Sequence, residues 1–164
     1  MGGETRRMDE RQPIEIVREL NRWWATRDFE KVRELVLASD GWDDAVKRFQ
    51  EAGLTIDPID PDVEVIVDAF PDGGDWIGQR GRDQWIRFWQ TWVRPWREFE
   101  LEDSHYEEIG GHVLVEVRVS ARERETGQLL EIPAVQLFKL RNGLICMYGV
   151  YSNRDDALAA IRAD

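Results

Sequence analysis

The chain has 164 residues, 42% hydrophobic and 34% charged, with a net charge of −11. That length suits one domain with a single core, and the composition is that of a folded globular protein rather than a disordered one. The acidic balance excludes a nucleic-acid partner and an anionic membrane surface, because both need concentrated basic charge.

In chain order, MGGETRRMDERQ is polar and charged and reads as a flexible leader over residues 1–12, without the apolar core of a signal peptide. Gly2 lacks the Ser or Thr that myristoylation needs, since Arg6 stands at that position. No apolar run approaches the ~20 residues that span a bilayer. The single domain then runs over 13–164. PIEIVRELNRWWATR opens with Pro13 at a first helical position, and Ile16, Val17, Leu20, Trp23 and Trp24 recur at helical spacing. Asp28 caps a second helix, FEKVRELVLA, and WDDAVKRFQEA forms a third that stops at Gly53. TIDPIDPD, with two prolines, is a non-helical linker.

DVEVIVDAF sets Val63, Val65 and Val67 against Glu64, Ile66, Asp68 and Phe70 and reads as a strand. PDGGDWIGQRG follows as a loop carrying Trp76, and then a helix, DQWIRFWQTWV, runs to near Pro95. Its Trp85, Trp89 and Trp92, with Trp96 beyond Pro95, form a stripe at spacings of 4, 3 and 4. From Arg97 the period changes to two. Four strands, REFELEDSHYEEI, HVLVEVRVSARER, QLLEIPAVQLFKL and LICMYGVYSN, are separated by turns, and RDDALAAIRA closes the chain as a helix. Helices, a strand, a helix and an antiparallel meander make an α+β layout: a curved antiparallel sheet wrapped around the N-terminal helices as a cone, with an internal pocket at its open end.

The segments ATRDFEKVRELV, DVEVIVDAFPDGG, GRDQWIRFWQTWVRPWREFELE and PAVQLFKLRNGLICMYGVYSNRDDALAAI give the chain its affinities. In these it resembles the nuclear transport factor 2-like (cystatin-like) superfamily, and within it the SnoaL-like polyketide cyclase relatives. The resemblance covers nearly everything from 13 to 163. It implies an aromatic-lined hydrophobic pocket and, in some members, cofactor-free cyclase, isomerase or dehydratase chemistry on a polyketide-like or polycyclic compound. Other members are noncatalytic binding or dimerisation modules. Against that pattern, residues 38–59 look like an insertion.

The isomerase pattern asks for a carboxylate base at the end of the first strand and two donors to a dienolate oxygen. Asp68, or Asp72, stands near the base position, but the tyrosine and aspartate donor positions fall on Leu20 and Gln136. Both donors are changed, which argues against steroid isomerase chemistry. Gln136 lies between Ala134 and Phe138 on an apolar strand face. There it is either a core amide bonded to neighbouring backbone or a pocket amide that orients a ligand carbonyl. Asp68 is either a base with a raised pKa or a strand-end residue capping the PDGG loop.

The candidate catalytic residues are thus Asp68 and Gln136. The candidate pocket walls are Trp24, Phe70, Trp76, Trp85, Trp89 and Tyr148, with Trp92 and Trp96 packing the closed end. His105 at a strand end is expected to be exposed, and His112 beside the GG turn to lie on the surface. Arg118 alternates outward with Glu116, which leaves an epoxide hydrolase triad unsupported. Two histidines without HxxxH or a cysteine cluster offer no metal site, no glycine-rich phosphate loop precedes a helix, and no cofactor is expected. Cys146 is a buried packing thiol, which fits a reducing, cytoplasmic setting. Ile145, Met147 and Tyr151 form an apolar outer sheet face, through which a homodimer is expected.

Overall fold

The computed structural model describes residues 12–26, 28–54, 58–67 and 79–163, the side chains of 23–26 and 79 excepted. Five helices and six strands follow one another in these segments. They are α1 (Pro13–Thr26), α2 (Phe29–Ala38), α3 (Trp42–Glu51), β1 (Ile59–Val67), β2 (Gln79–Arg80), α4 (Arg82–Val93), β3 (Trp96–Ile109), β4 (His112–Glu123), β5 (Leu129–Arg141), β6 (Leu144–Tyr151) and α5 (Arg154–Ala163). The expected leader, residue 12 apart, lies outside the described residues.

The strands form one sheet in the order β2-β1-β6-β5-β4-β3. From β3 to β6 it is the antiparallel meander that the sequence suggests. β1 joins the other side of β6 in parallel, so the sheet is mixed rather than wholly antiparallel. One helix, α4, and the four strands β2 to β5 separate β1 from β6 in the chain, which frees the pair from hairpin geometry and allows the parallel sense. Asn142 (φ 54°) and Gly143 (φ 78°) turn β5 into β6 within two residues, as an Asn-Gly hairpin requires. β1 begins at Ile59, inside the segment expected to be a linker. Pro61 fits there because the register with β6 shifts between Ile59 and Glu64, where no ladder donor is needed.

Helix ends are satisfied largely by side chains from neighbouring elements. Asp28 caps α2 by accepting from the amides of Glu30 (3.1 Å) and Lys31 (3.4 Å). The amide of Trp42, at the start of α3, donates to Asp83 Oδ1 of α4 (2.8 Å). Gly41 (φ 93°) permits this, because a Cβ there would sit 3.0 Å from that same oxygen. Gln90 of α4 donates to the carbonyls of Val36 and Ser39 at the end of α2, and Arg33 of α2 donates to those of Val93 and Arg94 at the end of α4. Within the segment 38–59, read as an insertion, α3 (Trp42–Glu51) is therefore a helix tied to α4, with Ala45 and Phe49 in the core.

The main core lies between the helices and the inner sheet face, where Val63, Val65, Val113, Val115 and Phe138 are fully buried. A second cluster lies on the other face. There α5 covers Leu114, Val135, Leu137, Met147 and Tyr151, with Ile66 packed alongside. Met147 and Tyr151, expected to meet a partner, are therefore covered by the chain's own helix. Ile145 belongs to the inner core instead. A register shift between Lys139 and Leu140 sets β6 two residues forward for one of β5, so Ile145 and Met147 do not share a face. His112, expected on the surface, is buried and its Nδ1 lies 3.2 Å from the Gly110 carbonyl. No described helix is long and apolar enough to cross a membrane.

Candidate functional site

α4 crosses the inner face of the sheet and lays Trp85, Phe88, Trp89 and Trp92 over a small cavity. α1 contributes Leu20, and β3 and β4 contribute Phe99, Leu101, Val117 and Val119. β5 and β6 complete the lining with Ala134, Gln136, Tyr148 and Val150. Leu20 closes apolar surface over the site, and no tyrosine stands in its place. The rings interlock edge to face. Trp85 lies 5.4 Å from Tyr148 and 5.7 Å from Trp89, and Trp92 lies 5.8 Å from Phe99. The cavity measures ≈ 30 Å³, room for a water or two against the roughly 15 Å³ that one water centre needs.

Among the described residues two polar side chains line this cavity, Gln136 and Tyr148, both buried. Gln136 Nε2 donates to the Tyr148 hydroxyl (3.3 Å), and Gln136 Oε1 accepts from Asn21 Nδ2 of α1 (3.0 Å). The same Asn21 nitrogen donates to the Tyr106 hydroxyl (3.1 Å), and Tyr106 donates to Asp103 Oδ2 (2.5 Å). A continuous hydrogen-bonded chain thus leads from the cavity to a carboxylate on the exposed side of β3. Burial, and then the Asp103 carboxylate, push the Tyr106 phenol well above the usual tyrosine range. The Arg18 guanidinium lies over the Tyr106 ring, 4.8 Å from its centroid.

Of the residues singled out in the sequence, Gln136, Trp85, Trp89 and Tyr148 come together around one cavity. Gln136 bonds to side chains there, not to the neighbouring backbone. Trp92, expected at the closed end, lines the cavity as well, whereas Trp96 is packed in the core outside it. His105 is exposed, with its Nε2 3.1 Å from Glu107. Arg118 is exposed as expected and faces Glu131. Asp68, Asp72, Phe70 and Trp76 lie outside the described residues, as does the side chain of Trp24. Ile66, whose parity placed Asp68 with the pocket, packs on the α5 side, while Val63, Val65 and Val67 face the inner core. β1 does reach the level of the cavity, because Val67 pairs with the cavity-lining Val150. Among the described residues no cluster of His, Cys, Asp or Glu could hold a metal ion, and the cavity lining carries no carboxylate.

Asn21, Tyr106 and Asp103 were not visible as site residues in the sequence. Asn21 follows Leu20 within an apolar recurrence, and a polar residue four positions after Val17 on that stripe was the available signal.

The fold is that of a nuclear transport factor 2-like domain. The family model described as the SnoaL-like domain matches residues 17–148, and the chain belongs to that family. Among solved structures, it is similar to a putative SnoaL-like polyketide cyclase from Jannaschia sp. CCS1 (21% identity, 94% of this chain and 98% of that one, TM-score 0.56). It is also similar to IdmH, a putative polyketide cyclase from Streptomyces antibioticus (17% identity, 93% and 99%, TM-score 0.56). A third is SalBIII, an epoxide hydrolase/cyclase-like enzyme in pyran ring formation in the polyether salinomycin (21% identity, 87% and 91%, TM-score 0.52). No curated protein matches the chain.

Proposed function

We propose that the chain holds a flat, hydrophobic small molecule of the polyketide-like or polycyclic kind inside the cone, with a ligand carbonyl turned toward Gln136 and Tyr148. One observation carries this reading: a buried amide and a buried phenol converge on a cavity whose other described walls are apolar and aromatic. Buried polar groups cost free energy unless bonded, and a carbonyl entering that end meets hydrogen-bond partners already in place. Drug-sized ligands occupy pockets of about 300 Å³ or more, so binding goes with rotation of the α4 rings.

Catalysis of the cyclase, isomerase or dehydratase type is the second reading, and the named relatives of similar fold support it. Proton transfer needs a base, and with no carboxylate in the described lining that role falls to Asp68, or Asp72, just beyond β1. Gln136 then serves as carbonyl partner. Native mass spectrometry of freshly purified protein tests the first reading, which expects a retained small molecule or a melting shift with aromatic polyketides. A clean apo mass with no shift for any of them would instead favour a module with a filled core. For the second reading, Asp68→Asn should abolish turnover of any substrate found, and unchanged turnover removes Asp68 from the mechanism.

A further inference from the structure

The buried hydrogen bonds have a direction, and it is set far from the cavity. Tyr106 keeps its proton and gives it to the Asp103 carboxylate, so its oxygen can only accept from Asn21 Nδ2. The second proton of that nitrogen goes to Gln136 Oε1. Turning the Gln136 amide over would set two NH2 groups face to face, where no solvent could separate them: Asn21 is 2% exposed and Gln136 is 4% exposed. The order therefore leaves Gln136 Nε2 at the cavity side, 3.3 Å from the Tyr148 hydroxyl. Asn21 Oδ1, buried with no hydrogen-bond partner among the described residues, carries the desolvation cost of this orientation.

We infer that Asn21 is a positioning residue that locks the Gln136 amide with its NH2 toward the cavity. The polar end of the site is thereby a donor, and it selects ligands that present an acceptor-only oxygen, a ketone or enolate, over the same skeleton bearing a hydroxyl. An alcohol can accept the same hydrogen bond, but its own proton then has only the Tyr148 oxygen to go to, which already accepts from Gln136 Nε2. The selectivity rests on the reading of the cavity as a ligand site; the orientation of the amide does not.

The test pairs a readout without ligand with one that uses 9-fluorenone and 9-fluorenol. In the wild-type protein, nuclear Overhauser contacts should join the Gln136 side-chain NH2 to the Tyr148 ring. Asn21→Asp, an acceptor in place of a donor, should abolish them by turning the amide over. Contacts that persist unchanged in Asn21→Asp overturn the inference whether or not any ligand binds. In titrations, the wild type should prefer fluorenone roughly tenfold, about the worth of one hydrogen bond. Asn21→Asp should reverse that preference and Asn21→Leu bring it near one. Asp103→Ala, at an exposed position, should keep the fold and lower the preference partway, which decides the matter if the buried variants do not fold. Equal weakening of both compounds in every variant would mean that Asn21 is merely structural, and would sink the inference. If neither compound binds any variant, the ligand reading fails, and the Overhauser contacts still decide on Asn21.

Discussion

Trp85 is the most buried of the described tryptophans, and its ring meets Trp89 and Tyr148 edge to face. Trp85→Ala should cost roughly 3–5 kcal/mol in urea unfolding, because the tightly packed wall cannot collapse into the space left. A loss below about 1 kcal/mol would mean that the site tolerates a large void. Tyr106 makes a different prediction. Its folded pKa is raised, so the folded state holds that proton more tightly than the unfolded chain does. The contribution is fully present below the unfolded value of 10.0 and is lost as pH rises through the folded value. Wild-type stability should therefore fall more steeply than that of Tyr106→Phe as pH rises above about 10, measured by denaturant midpoints on both sides of that value; equal slopes would contradict it. Gln136 was legible in the sequence because an amide broke the period-two apolar pattern of one strand. Asn21 was hidden because helical periodicity reports which face is apolar and says little about a single polar residue at its margin.

At the scale of elements, α5 covers the outer cluster through Ala157, Leu158 and Ile161 against Met147, Tyr151 and Leu137. Ending the chain after Asn153 should expose that patch. The truncated protein should bind a hydrophobic dye and self-associate further on size exclusion, where an elution profile unchanged from that of the wild type would show that the helix is dispensable. The strands β3 to β6 were readable because their alternation is long and their turns carry Gly or Asn-Gly. β2 was not, since two residues carry no period. The parallel β1–β6 pair was missed because pairing sense between strands distant in sequence leaves no local mark. The shared face assigned to Ile145 and Met147 failed for a physical reason: a bulge reverses facing without changing the residue pattern.

For the whole molecule, the tryptophan stripe roofs the cone, and along α4 the same residues serve as core and as cavity wall. The proposed function makes one central claim, supported by the small cavity and its two described polar groups: a ligand carbonyl enters the interior as the aromatic rings part. Calorimetric titration of 9-fluorenone and of fluorene, the same skeleton without oxygen, into wild type and Gln136→Leu tests this most directly. Fluorenone should bind the wild type and lose roughly tenfold in affinity on Gln136→Leu, while fluorene binding stays unchanged. Absence of fluorenone binding, or equal loss for both compounds, would contradict the account.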